Sequence, residues 1–162
     1  MAIKTMDDLF LHTLKDIYYA ERQILKALPK MAKAASSSEL RQAFDQHRTE
    51  TEGQIERLAQ VFEMLGKPAR GVKCEAIEGI LEEGQSIMEE VEDPEVRDAA
   101  MLASAQAVEH YEITRYGTLI SWAKQIGHED AVALLEQTLE EEKSTDQLLS
   151  ELAEETINQK AA

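Results

Sequence analysis

The stretch VEHYEITRYG, residues 108–117, decides how this chain folds. Its inward-facing side chains belong to a row that continues in both directions: Met101, Ala105, Val108, Glu112, Tyr116, Leu119, Ala123 and Ile126. Steps of three and four hold such a row on one face of an α-helix. One member of the row is a carboxylate. Glu109 lies three residues before Glu112 and therefore on the same side of the helix. A helix with this pattern aims acid at its own core, and that needs a physical reason.

Three other segments repeat the arrangement. The first runs through Phe10, Leu14, Ile17, Glu21, Ile24, Leu28 and Met31. The second runs through Leu40, Phe44, His47, Thr51, Gln54, Leu58, Val61 and Leu65, with Glu50 on the adjoining edge. The last runs through Ala131, Leu134, Thr138, Glu141, Thr145, Leu148 and Leu152. Each row is apolar at both ends and polar near its middle. The breaks between them carry helix punctuation. AASSSEL at 34–40 spaces Ser36 and Glu39 as a capping box, and LGKPARG at 65–71 is a clear interruption. EDPEV at 92–96 offers Asp93 as a cap with Pro94 at the first helical position. Gly127 in IGHED falls just past a helix end. The pattern predicts helices over about 5–34, 38–65, 94–126 and 129–157, and a crossover segment over about 75–91. No strand pattern or linker divides the chain, so an all-α bundle forming one domain over residues 1–162 is expected.

Composition narrows the function. The formal net charge is −15, from 32 acidic and 17 basic residues, which repels the phosphates of nucleic acid and of anionic membranes. No apolar run reaches the roughly 18 residues of a membrane span. The start, MAIKTMDDLF, lacks the basic and apolar regions of a signal peptide. The single cysteine, Cys74, excludes an intramolecular disulfide and fits a reducing compartment. A cytoplasmic protein is expected, without nucleic-acid or membrane partners.

An isolated buried carboxylate costs several kcal/mol or takes up a proton. Four helices bringing carboxylates to one depth need cations to neutralise them. Two divalent ions balance four glutamates, and bundle interiors are where facing helices build such sites. Glu21 and Glu50 are 29 residues apart, as are Glu112 and Glu141. Two helical hairpins related by a pseudo-twofold axis would show equal spacing of this kind.

Five segments carry a family resemblance: YYAERQ (18–23), HRTETEGQIERL (47–58), CEAIEGILEEG (74–84), VEHYEITRYG (108–117) and LEEEKSTDQLL (139–149). Together, from Leu9 to about Leu152, they resemble the YciE/YciF-type bacterial stress proteins, a branch of the ferritin-like superfamily. The resemblance implies a ferritin-like antiparallel four-helix bundle with an extra helix in its long crossover, a homodimer, and a role in stress response. The chain departs from the Glu-x-x-His pattern of many di-iron bundles. Gly53 follows Glu50 at the third position, and Ser144 follows Glu141. The helix over 38–65 instead has His47-x-x-Glu50, and the helix over 94–126 has Glu109-x-x-Glu112. That weighs against ferroxidase turnover and favours iron or manganese over copper or zinc.

The expected metal ligands are Glu21, Glu50, Glu109, Glu112 and Glu141 with His47, around a dinuclear iron or manganese centre. Other readings compete. Glu21, Glu112 and Glu141 could hydrogen-bond to Tyr18, Tyr111 or Thr138, and His47 could be a core histidine. Glu142 competes with Glu141 if the last stripe turns slightly. Gln54 would orient a ligand carboxylate, while His110 belongs beside the site or on the surface. A protective oxidoreductase acting on dioxygen or peroxide is the expected function. The alternatives are a metal-free structural or interaction bundle and a shell-forming iron store. The apolar residues Ile77, Ile80, Leu81, Ile87 and Met88 of the crossover need cover from the bundle or from a partner, which also points to a homodimer.

Overall fold

The computed structural model describes residues 2–162 and is helical almost throughout. Helices α1 (Met6–Ala34), α2 (Ser38–Met64), α3 (Glu75–Glu90), α4 (Pro94–Ile126) and α5 (Glu129–Leu152) are followed by a π turn, Ala153–Ile157, and the short α6, Asn158–Ala161. The expected boundaries agree to within about two residues, except that the last segment changes from α to π after Leu152.

Local chemistry sets these ends. Thr5 and Asp8 form a reciprocal capping box at the start of α1, each side chain accepting from the other's backbone N–H at 3.1 Å. Asp93 accepts from the N–H groups of Glu95 and Val96 ahead of α4, and Gly127 closes that helix at φ 82°. The capping box expected from Ser36 and Glu39 does not form. Ser37 is the cap, accepting from Leu40 N at 3.2 Å, while Glu39 turns to the hydroxyls of Ser37 and Ser38. Buried Asp98 explains the shift, because it accepts from the N–H groups of both Ser36 and Ser37 at 2.8 Å and ties this loop to α4.

Contacts at the two ends fix the helix directions. Ser36 and Ser37, after α1, meet Asp98 near the start of α4. Phe10, early in α1, packs on His128, just past the end of α4, with ring centroids 5.8 Å apart. Helices α1 and α4 are therefore antiparallel. Glu50 meets Thr145, and Arg57 meets Thr138, so α2 and α5 are antiparallel too. With α1–α2 and α4–α5 as hairpins, α2 and α4 must run the same way. The connection between them returns the chain along the bundle. Its extended part lies on α1, where Val72 N donates to Lys15 O at 3.2 Å. A Cβ at Gly71 would come within 2.9 Å of Tyr19 Cβ, so glycine permits this approach. The crossover helix α3 then packs on α4 and α1, with Ile77 fully buried and Ile80, Leu81 and Met88 against the core. The bundle itself thus supplies cover for the apolar face of α3, while Glu82, Glu83, Glu89 and Glu90 face outward.

The rows on α1, α2 and α4 are buried as their spacing predicts, apart from half-buried Leu65 and Ile126 at their ends. The row on α5 is not. Its inward residues are Ala131, Leu135, Thr138, Glu142, Thr145 and Leu149, while Leu148 is 39% exposed. The doublets Leu134–Leu135, Glu141–Glu142 and Leu148–Leu149 allow two rows of equal polarity, one residue apart. The structure uses the second.

Candidate metal centre

Four core helices bring polar side chains to the middle of the bundle, between its apolar ends. Glu21 comes from α1, His47 from α2, Glu109 and Glu112 from α4, and Glu142 from α5. None is more than 3% exposed. Ligand atoms of His47, Glu109, Glu112 and Glu142 all lie within 4.8 Å of one another. Donors bound at about 2.0–2.6 Å lie roughly 4–5 Å apart across a coordination sphere, so this group has the dimensions to hold a metal ion.

The hydrogen bonding points the same way. No N–H or hydroxyl group donates to either carboxylate oxygen of Glu109, Glu112 or Glu142, or to Glu21 Oε2. His47 Nε2 is 2.9 Å from Glu109 Oε1, yet the two are not aligned for an N–H···O bond, and both count as unpartnered. Buried polar atoms almost always find a partner. Here four of the residues without one, His47, Glu109, Glu112 and Glu142, bring ligand atoms to within 4.8 Å of one another.

Burial raises the pKa of every one of these carboxyls. Glu21 is pushed up to about 8 by burial and by the charge of Glu142. Glu109 is also pushed up to about 8, by burial first, with the charges of Glu21, Asp146 and Glu50 adding to it. Glu112 and Glu142 are raised well above the usual carboxylate range, by burial and then by neighbouring glutamates. Glu21 faces Glu112, and Glu109 faces Glu142, close enough to share a proton. Without a cation these carboxyls hold protons at neutral pH; a divalent ion would reverse that balance. The donor set, oxygen-rich with one imidazole, fits a hard or borderline ion.

Of the expected ligands, Glu141 lies outside this group and Glu50 at its edge. Glu141 points into the α2–α5 seam, where the Arg57 guanidinium grips both its oxygens and also donates to Thr138 Oγ1 at 3.0 Å. Glu142 occupies the centre instead. Glu142 is 30 residues from Glu112, so the match to the Glu21–Glu50 spacing is lost. Glu50 is half-buried at the edge, accepting from Thr145 and Gln46 at 2.9 Å. The competing hydrogen-bond partners are also differently placed. Tyr18 packs edge-on against Phe62. Tyr111 donates to Asp16 at 2.5 Å and touches Cys74 Sγ at 2.9 Å. The donor that serves Glu21 is Tyr116, whose hydroxyl lies 2.6 Å from Oε1. A signal for it was present: a tyrosine in an apolar row needs a partner for its hydroxyl. Gln54 is buried with both amide atoms unpartnered. His110 is exposed and pairs with Asp146 at 3.0 Å, and Cys74 is buried.

Antiparallel core helices, a long crossover carrying its own helix, and carboxylates gathered at the middle define a ferritin-like four-helix bundle. Residues 5–162 match the family described as "Domain of unknown function (DUF892)", and the chain belongs to that family. It is 50% identical over 162 residues to Protein YciF of Escherichia coli (strain K12), covering 99% of this chain and 98% of that protein. The crystal structure of the E. coli stress protein YciF superposes with a TM-score of 0.92 over 96% of this chain and 99% of that one. YcfI from Rhodopseudomonas palustris gives 0.90 at 53% identity, over 91% and 94% of the two chains. A Xanthomonas campestris protein, 21% identical with a TM-score of 0.75 over 94% and 92%, shares the fold. Among the described residues, no helix is long and apolar enough to cross a membrane.

Proposed function

We propose that this chain is a stress-response protein whose bundle core holds a dinuclear iron or manganese centre and which acts as a protective oxidoreductase on dioxygen or peroxide. The observation that carries this reading is the set of buried carboxylates on Glu109, Glu112 and Glu142, to whose oxygens no N–H or hydroxyl donates, with His47 Nε2 directed into the same space. A structural polar core would pair these atoms with donors. The relative named as a stress protein supports the physiological part of the proposal.

In this reading His47, Glu109, Glu112 and Glu142 hold one ion. Glu21, beside Glu112, and Glu50, at the edge, are the further carboxylates available to a second. Bound iron or manganese would supply the change of oxidation state. The protein's own contributions are position, charge and dryness. Tyr116 fixes Glu21 through its hydrogen bond, and Arg57 keeps Glu141 out of the centre. The apolar layers above and below limit water. In this reading the protein works in the cytoplasm as a homodimer, which light scattering would test.

The test is metal analysis of protein purified without chelators, followed by thermal melts after chelation and after adding Fe(II) or Mn(II). An ion that binds only the folded state at a hundredfold excess over its Kd stabilises by about 2.7 kcal/mol. Bound metal together with this stabilisation is expected. Metal-free protein whose melting ignores both ions would instead be a structural bundle whose polar core fixes helix register.

A further inference from the structure

The crossover helix leaves a groove of about 470 Å³ between itself, α1 and α4. Its walls are largely apolar, with Leu81 and Met88 from α3, Met31 from α1, and Met101 and Val108 from α4. Behind it lies a void of about 10 Å³. Ala27, Met31, Leu81 and Val108 line both spaces, so the two adjoin across these side chains. The inner void touches one polar residue, and that residue is His47. A line of weak packing thus runs from the surface, under α3, to the edge of the carboxylate cluster.

The chemistry of the void selects what can use it. A space of this size is about one water-sized sphere, but a buried water needs two to four polar partners. His47 is the one polar side chain there. Hydrogen peroxide carries two hydroxyl groups and meets the same penalty, and a charged species meets a larger one. A small apolar molecule meets none. The wall has a means of yielding, because methionine is unbranched and adapts its shape easily, and Leu81 sits on the half-buried side of α3.

We propose that the α1–α3–α4 groove and the void behind it form the route by which dioxygen, rather than peroxide, reaches the carboxylate cluster, passing between Met31, Leu81 and Val108. This rests on the metal-centre reading and narrows its substrate. It also gives α3 a task beyond cover, since α3 supplies one wall of the route.

The probe for the void is xenon, an apolar atom larger than water, whose entry reports whether the walls yield, with or without metal present. Crystals pressurised with xenon should show it between Ala105 and His47. Ala105→Val, which fills the void, should remove that peak, and Leu81→Trp, which narrows the groove side, should lower the rate of filling. In iron(II)-loaded protein both variants should slow oxidation by dioxygen at least tenfold, with metal content and oxidation by added peroxide unchanged. Absence of xenon from the void in the parent protein overturns the proposal. So does an unchanged dioxygen rate in both variants, or equal slowing with both oxidants. Metal content of the same samples keeps the two readings apart. A parent protein that binds no iron overturns the proposed function, and the xenon result then decides the route by itself.

Discussion

Arg57 on α2 grips Glu141 on α5, and that grip turns the next residue, Glu142, into the centre of the bundle. Adjacent residues on a helix differ by about 100° in direction, so one carboxylate can face the seam while its neighbour faces the core. The two should respond oppositely to the same change. Glu142→Gln is expected to lose bound metal, and Glu141→Gln to keep it, by metal analysis of the purified variants. Arg57→Ala removes a half-buried, charge-assisted pair and should cost about 1–2 kcal/mol, lowering Tm by about 2–8 °C. Equal metal loss in both glutamine variants would mean that the seam and the centre are not separate.

Most of the bundle was legible because apolar side chains at helical spacing have one reading wherever their neighbours are polar. Phe10, Leu14 and Ile17 on α1, and Leu119 and Ala123 on α4, are of this kind. Helix α5 offered two readings. Its doublets at 134–135, 141–142 and 148–149 satisfy either of two stripes, and nothing within α5 chooses between them. The choice comes from Arg57, which lies more than eighty residues earlier in the chain. Glu50 lies at the margin of the cluster for a related reason: an edge position on a helix becomes central or peripheral only when its neighbour is known. Thr145 captures it there.

Glu112 separates a ligand from a structural residue. It is fully buried, no N–H or hydroxyl donates to its oxygens, and its ionised form is opposed by Glu21, Glu109 and Glu142. Replacing it with a side chain of similar volume and no charge removes a destabilising group from the metal-free protein. Glu112→Leu should therefore leave chelated protein at least as stable as the parent in urea unfolding, and abolish the stabilisation that added Mn(II) gives the parent. A large loss of stability in the chelated variant would assign Glu112 a hydrogen-bonding role instead.

Tyr116 is tied to Glu21 by the hydrogen bond that this carboxylate receives. That bond favours the ionised form and lowers the pKa of Glu21 against the effect of burial. Tyr116→Phe should cost about 1 kcal/mol in stability. It should also move the onset of Mn(II) binding to higher pH, because Glu21 then gives up its proton less readily. Calorimetric titration at several pH values measures the shift. An unmoved onset would detach Glu21 from the metal site.

The pH dependence of stability tests the cluster as a whole. Glutamates of the unfolded chain ionise near their ordinary value of 4.5, whereas Glu21 and Glu109 in the folded, metal-free protein hold their protons until about 8. Below 4.5 both states are protonated, and the contribution of these groups to stability is fully present. Between 4.5 and about 8 the unfolded state has released its protons and the folded state has not, so stability falls as pH rises. Above about 8 Glu21 and Glu109 are ionised in both states and their part of the fall ends. Chelated protein should accordingly show a Tm that declines from pH 5 to pH 8. Mn(II) binds the ionised carboxylates and displaces their protons, so its stabilisation should grow over the same interval. Scanning calorimetry of chelated and Mn(II)-loaded protein should show the two Tm curves diverging towards pH 8. A chelated Tm that rises across this interval would show that the carboxylates are already ionised in the empty bundle, which their burial without donors does not permit.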